Sequence, residues 1–129
     1  MSLFRLGDFT LSSGKRAPWK IDCDALSDTD IFTLADMIQH LVGGYSAVEG
    51  VPSGGARLAR ALRMSCFLGG PLLLVDDVLT SGASMERMKG LIEIPEQANG
   101  EVIGAVIFAR GRCPAWIKPL FQMPEKFWL

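Results

Sequence analysis

The sequence predicts an α/β fold: a small parallel, Rossmann-like sheet with helices between its strands and an N-terminal arm ahead of it. Two aliphatic runs carry this reading, LLLV at 72–75 and VIGAVIFA at 102–109. Short apolar runs without alternation suit strands covered on both faces. Composition is the third observation. The 129 residues are 49% hydrophobic and 21% charged, apolar enough for a doubly covered sheet or for an oligomer interface. The length allows one domain with a real core and not two.

Each element follows in order. Residues 7–20, GDFTLSSGKRAPWK, set Gly, Ser and Lys around isolated aromatics and read as an irregular arm or a short hairpin. Ser27 followed by Asp30 resembles a capping box with Asp where Glu is usual. Ile31, Leu34, Ala35, Ile38, Leu41 and Val42 then fall on one face at helical spacing, and Gly43-Gly44 ends the helix. His40 lies off that stripe and reads as solvated. YSAVEGV, 45–51, is a short strand, PSGG, 52–55, a tight loop, and ARLARALRM, 56–64, a short helix with Leu58, Ala59 and Leu62 inward. SCFLGG, 65–70, is a brief connector before the LLLV strand. Met85, Met88, Leu91 and Ile92 mark another amphipathic helix, and PEQANG, 95–100, a turn. Strand, helix, strand, helix, strand predicts a parallel sheet with right-handed crossovers. The tail, CPAWIKPLFQMPEKFWL, holds three prolines. They exclude a long helix, so an extended segment packed on the domain or on a partner is expected. The expected division is an arm at 1–26, an α/β core at 27–112 and an extended tail at 113–129.

Several classes lose support. Net charge is −1 with no run of Lys or Arg, which gives no electrostatic basis for nucleic acid or a membrane surface. No segment approaches the ~20 apolar residues of a membrane span, and MSLFRLGDFTLSSGK has no signal-like run. Cys23, Cys66 and Cys113 are odd in number, widely spaced and without CxxC. They read as reduced thiols of a cytoplasmic protein.

The chemistry concentrates in LLLVDDVLTSGASM, 72–85. Two adjacent carboxylates at the end of a buried strand repel each other and lose hydration, so something must offset their cost. Ligands of open parallel sheets bind beyond the carboxyl ends of strands. The loop from Leu79 to Ser84 leads into a helix whose amides and dipole make an anion site suited to a phosphate monoester. Thr80, Ser81 and Ser84 add hydroxyl donors, and Gly82 permits close backbone approach. Acceptors for sugar hydroxyls thus stand beside donors for a phosphate, and a ribose 5-phosphate needs both. Two other readings stay open. One is the magnesium site of a phosphorylated receiver domain, where the pair closes the first strand rather than a mid-chain one. The other is a structural pair that caps the next helix.

At this point LLLVDDVLTSGAS resembles the phosphoribosyl-pyrophosphate motif of type I phosphoribosyltransferases. GVPSGGARLA, 50–59, resembles that family's pyrophosphate loop and the helix after it. FTLSSGKRAPWKID, 9–22, resembles the N-terminal arm of orotate phosphoribosyltransferases, and GAVIFARGR, 104–112, a late strand ending in an arginine near the base site. Together these cover most of the chain. The resemblance implies a type I phosphoribosyltransferase-like core that transfers ribose 5-phosphate from phosphoribosyl pyrophosphate to a nucleobase, orotate or a related pyrimidine. It implies Asp76 and Asp77 as the catalytic pair on the ribose hydroxyls, meeting Mg²⁺ indirectly or through the ligand. Thr80, Ser81, Gly82, Ala83 and Ser84 would cradle the 5′-phosphate. Val51, Pro52, Ser53 and Gly54 would meet the pyrophosphate and its Mg²⁺ through an unusual peptide geometry. Lys20 and Arg110 would face the base, where an orotate carboxylate suits basic groups. A homodimer is implied as well.

The departures are specific. Between Gly55 and Asp76 lie only a short helix and SCFLGG, where orotate phosphoribosyltransferases normally carry two more strands and a mobile basic loop. Ser12 stands where that family often has lysine. The expected sheet is therefore smaller and lacks the usual lid. Arg57, Arg60 and Arg63 are candidate replacement cations, with a solvated helix face as the alternative. A non-catalytic module that binds phosphoribosyl pyrophosphate or a nucleotide is the second functional reading.

Overall fold

In the computed structural model, which describes residues 1–11 and 13–128, the chain opens with an antiparallel hairpin. Strands β1 (Phe4–Thr10) and β2 (Arg16–Ile21) pair with each other and form a separate two-stranded sheet. Of the two forms expected for the arm, the hairpin is the one observed. An ion pair between Arg16 and Asp8 spans it.

Helix α1 (Asp28–Val42) starts as its sequence predicts. The Ser27 hydroxyl accepts from the Asp30 amide at 3.1 Å, and the Asp30 carboxylate accepts from the Ser27 amide at 2.9 Å. Asp therefore serves in the capping box as Glu does elsewhere. Ile31, Ala35 and Ile38 are buried and Val42 packs against the same core, while Leu41 is 37% exposed. Gly43 ends the helix with φ 77°, a left-handed value that glycine adopts without steric cost. His40 is exposed.

Four parallel strands form the main sheet in the order β3 (Ala47–Gly50), β4 (Leu72–Leu79), β5 (Val102–Ala109) and β6 (Ile117–Gln122). Helix α2 (Ala56–Leu62) joins β3 to β4, and α3 (Ala83–Leu91) joins β4 to β5. Alternate β4 side chains go to opposite faces. Leu73 and Val75 pack with α1 and α2, and Leu72 and Leu74 pack with Met85 of α3. The covered sheet explains the unbroken aliphatic runs. Leu91, expected on the buried side of α3, is 74% exposed. It is the helix's last residue, and the residue after it, Ile92, packs against the core.

The crossovers correct one expectation. Strands β3, β4 and β5 advance the same way across the sheet, yet α2 and α3 cover opposite faces. Two such connections necessarily have opposite hands, so the crossovers are not uniformly right-handed. Only residues 63–71 separate α2 from β4, and α2 buries Leu58, Ala59 and Leu62 beside α1. Part of the tail is extended and packed on the domain, one of the two placements expected. Residues 117–122 add β6 to the sheet, with Pro119 tolerated because this strand lies at the edge. The short connection before it passes over the α3 face, where the Trp116 indole N–H donates to Glu86 at 2.7 Å.

Candidate functional site

The site begins where β3 stops. Gly50 pairs with Val75, the Val51 amide donates to the Val75 carbonyl at 2.9 Å, and the chain then turns away toward α2. Strand β4 continues to Leu79, so the acid pair lies within the strand and not at its last residues as expected. A crevice opens between the two strands, with Asp76 and Asp77 on its wall.

Across this stretch β4 changes phase by one residue. Val75 offers its carbonyl to the β3 side, whereas Leu79 accepts from the Arg110 amide on the β5 side at 2.7 Å. Val75 packs with α1 and α2, and so does Val78 three residues on, which a regular strand would not allow. The freed amides are taken by the acid pair itself. Asp76 Oδ1 accepts from the Asp77 amide at 2.8 Å, and Asp77 Oδ1 accepts from the Val78 amide at 2.7 Å. Burial, followed by the neighbouring Asp77 charge, pushes the Asp76 carboxyl up to about 8. The shift favours the protonated form of Asp76, and the two backbone bonds offset part of the cost of placing the carboxyls side by side.

Opposite the pair stands the loop 51–55. A Cβ at Gly54 would lie 2.5 Å from Asp77 Oδ1, and one at Gly50 would lie 2.5 Å from the Gly55 carbonyl oxygen. These glycines serve close approach. The Pro52–Ser53 peptide is cis, in line with the unusual geometry that the resemblance implied. On the other flank Gly82, φ 83°, caps α3 in the left-handed region. The Ala83 amide donates to Ser81 Oγ at 3.2 Å, and intrahelical bonding begins at the Glu86 amide. Of the first-turn amides, those of Ser84 and Met85 precede the first intrahelical bond, and amides at such a position can meet an anion.

Arg110 follows β5. Its side chain is 1% exposed, its guanidinium lies 3.7 Å over the Trp19 ring, and one terminal nitrogen donates to the Trp19 carbonyl at 3.1 Å. Burial pulls its pKa down. Its Nε has no hydrogen-bond partner among the described residues.

One cavity of about 380 Å³ gathers these groups: Lys20, Val51, Pro52, Ser53, Gly54, Asp76, Asp77, Thr80, Ser84 and Arg110 line it. Ser81, Gly82 and Ala83 line a small adjoining recess together with Asp76, Thr80 and Ser84. Thr10, Leu11, Ile21 and Val78 also line the cavity and were not singled out in the sequence, since no local spacing marks which face of the hairpin or of β4 meets the cavity. Ser12 lies outside the described residues. The arginines of α2 do not reach the cavity. Arg57 donates to the Leu26 carbonyl at 2.9 Å and to Asp28 at 3.1 Å, Arg63 lies 4.0 Å from Glu49, and Arg60 lines a groove with Phe32. They are thus not replacement cations for the site. No group of three or more His, Cys, Asp or Glu side chains able to hold a metal occurs among the described residues.

An orotate phosphoribosyltransferase of Aeropyrum pernix superposes on 93% of this chain, using 88% of its own, with a TM-score of 0.72 and 25% identity. The fold is that of the type I phosphoribosyltransferases. The orotate phosphoribosyltransferase of Mycobacterium tuberculosis has the same fold, at TM-score 0.62 and 19% identity over 93% of the chain. In sequence, the orotate phosphoribosyltransferase of Sulfurisphaera tokodaii is 27% identical over 81% of the chain. The chain spans 66% of the length of that curated relative. No family model matches. Within this fold, the acid pair, the loop after it and the hairpin meet around the cavity and its adjoining recess. No helix among the described residues is long and apolar enough to cross a membrane.

Proposed function

We propose that this chain binds phosphoribosyl pyrophosphate and transfers its ribose 5-phosphate to a nucleobase, orotate or a related pyrimidine, with release of pyrophosphate. The observation that carries this is the shared cavity. Asp76, Asp77, Thr80 and Ser84 line it together with the buried Arg110 and Lys20. In this reading the free carboxylate oxygens of Asp76 and Asp77 accept from the ribose hydroxyls. Thr80 to Ser84 hold the 5′-phosphate at the start of α3. Val51 to Gly54 border the pyrophosphate, and Lys20 and Arg110 take the acidic edge of the base. Two carboxylates alone make no cage for Mg²⁺, but they suit an ion that arrives on substrate phosphates and keeps several waters. When bound, Mg²⁺ would supply positive charge to the leaving pyrophosphate.

Charge limits the expected rate. The described cations of the cavity, Lys20 and Arg110, belong to the hairpin and the end of β5, and none comes from loop 51–55. Removing one electrostatic contact to a developing charge costs ~2.7–4 kcal/mol, or about 10²- to 10³-fold in rate. Slow transfer by the isolated chain is therefore expected, and the same observation favours the second reading, a non-catalytic binding module. Calorimetric titration with phosphoribosyl pyrophosphate and Mg²⁺ tests both, on the intact chain and on Asp76→Asn/Asp77→Asn. Binding by the intact chain and loss in the variant is the expected result. A panel of free bases then separates enzyme from module by product formation. No binding to the intact chain would sink the transferase reading.

A further inference from the structure

We propose that Trp19 positions Arg110 for the base-side ligand, so that the hairpin, and not the core, sets the plane of the guanidinium. The inference rests on the function proposed above. Arg110 heads the fully buried side chains by size, at 1% exposure, yet among the described residues no carboxylate pairs with it. A buried guanidinium ordinarily requires an anionic partner, because its charge has lost water. Here the indole face lies 3.7 Å from the guanidinium carbon, and the Trp19 carbonyl accepts from one terminal nitrogen at 3.1 Å. Stacking fixes the plane of the fork, and the carbonyl fixes its rotation within that plane.

What this arrangement leaves is informative. Nε is buried without a partner, and Arg110 lines the cavity. A planar acceptor, such as a carboxylate or the carbonyl edge of a pyrimidine, can satisfy a fork held in a set plane through two parallel bonds. Trp19 does not line the cavity, so it acts through Arg110. It is braced in turn by Phe4, 6.1 Å between ring centroids, which also packs on Phe108 of β5 at 6.1 Å. Lys20, the next residue, reaches the cavity directly, so β2 brings one cation to the site and orients another.

The test compares two probes on the full chain: orotidine 5′-monophosphate, which engages the base side, and ribose 5-phosphate, which does not. Trp19→Leu and Trp19→Gln should weaken the nucleotide about 10-fold, the loss expected for a charged hydrogen bond. Ribose 5-phosphate should be unchanged. Trp19→Phe, which keeps a ring face and the carbonyl, should restore nucleotide binding to within about 3-fold. In an Arg110→Lys background, Trp19→Leu should add little, because the two residues act as a unit. Equal weakening of both probes, or of neither, would overturn the positioning role while leaving the binding reading intact. So would failure of both non-aromatic variants to fold while Trp19→Phe behaves normally, since that marks a purely structural tryptophan. An intact chain that binds neither probe overturns the functional reading and this inference with it.

Discussion

At the scale of single residues, Asp76 and Gly54 carry opposite lessons about the acid pair. Asp76 is 8% exposed, and its pKa rises from 3.8 to about 8 through burial and the neighbouring Asp77 charge. Below pH 3.8 the group is protonated in the folded and unfolded chain alike. Between there and about 8 the unfolded chain ionises first, so the stability Asp76 contributes at low pH is lost as pH rises. Asp76→Asn keeps the oxygen that accepts from the Asp77 amide. Its melting temperature should match the parent near pH 3.5, exceed it increasingly toward pH 8, and level off above. A constant difference across that range in thermal melts would refute the shift. Gly54 acts by what it lacks. A methyl group there would press into the Asp77 carboxylate, 2.5 Å from Oδ1 and 2.7 Å from Cγ. Gly54→Ala should therefore weaken phosphoribosyl pyrophosphate binding at least about 10-fold, in the range of one lost charged hydrogen bond, with the fold intact by circular dichroism. Unchanged affinity would mean that Asp77 does not face the ligand. The carboxyl pair and the glycine were both legible from sequence. Their contact was not, since it joins loop 51–55 to β4.

Among the elements, α3 shows how far periodicity reaches. Met85, Met88 and Leu91 share a helical spacing, yet Met85 is 1% exposed and Leu91 is 74% exposed. Spacing defines a face, but packing decides how much of it is covered: Ile92, just past the helix end, meets the core and Leu91 does not. Met85→Ala should cost about 2–5 kcal/mol, whereas Leu91→Gln should stay within about 0.5 kcal/mol of the parent. Denaturant unfolding distinguishes the two, and a large loss at Leu91 would imply a partner over that helix end. The capping box of α1 was readable because cap and helix lie in one local stretch. Strand β6 was legible only as an extended segment, because the tail's prolines exclude a long helix without showing that the segment joins the sheet, and its place at the edge makes Pro119 acceptable. The continuation of β4 past Asp77 escaped for a related reason. Adjacent aspartates read as a terminus, but here their own oxygens replace the strand partner that β3 no longer provides.

For the molecule as a whole, the open questions concern surfaces. Leu3, Phe4, Leu26, Leu34, Phe108 and Phe121 line an apolar groove of about 360 Å³ beside the hairpin, with Asp30 and Thr33 at its rim. Phe4, Phe32 and Phe121 are more than 40% exposed, and such surface is a common mark of association. A homodimer is the expected state, and light scattering at micromolar concentration should give twice the chain mass of 14.0 kDa. A monomer there would remove the dimer from the functional account. The short link between α2 and β4 also acts at this scale. It leaves β3 as an edge strand and gives the two helical crossovers opposite hands.

By itself the sequence determined the α/β class, the capping box, the acid pair and the loop after it, because each is a short-range pattern in which neighbours along the chain meet neighbours in space. It also marked Lys20 and Arg110 through the resemblance of their surrounding motifs. Only the tertiary structure decided that Arg57 and Arg63 face away from the cavity, that Trp19 lies over Arg110, and that the tail completes the sheet. Trp19 and Arg110 stand 91 positions apart. Contacts at such separation depend on how the hairpin settles on the core, and no local spacing in the chain records that.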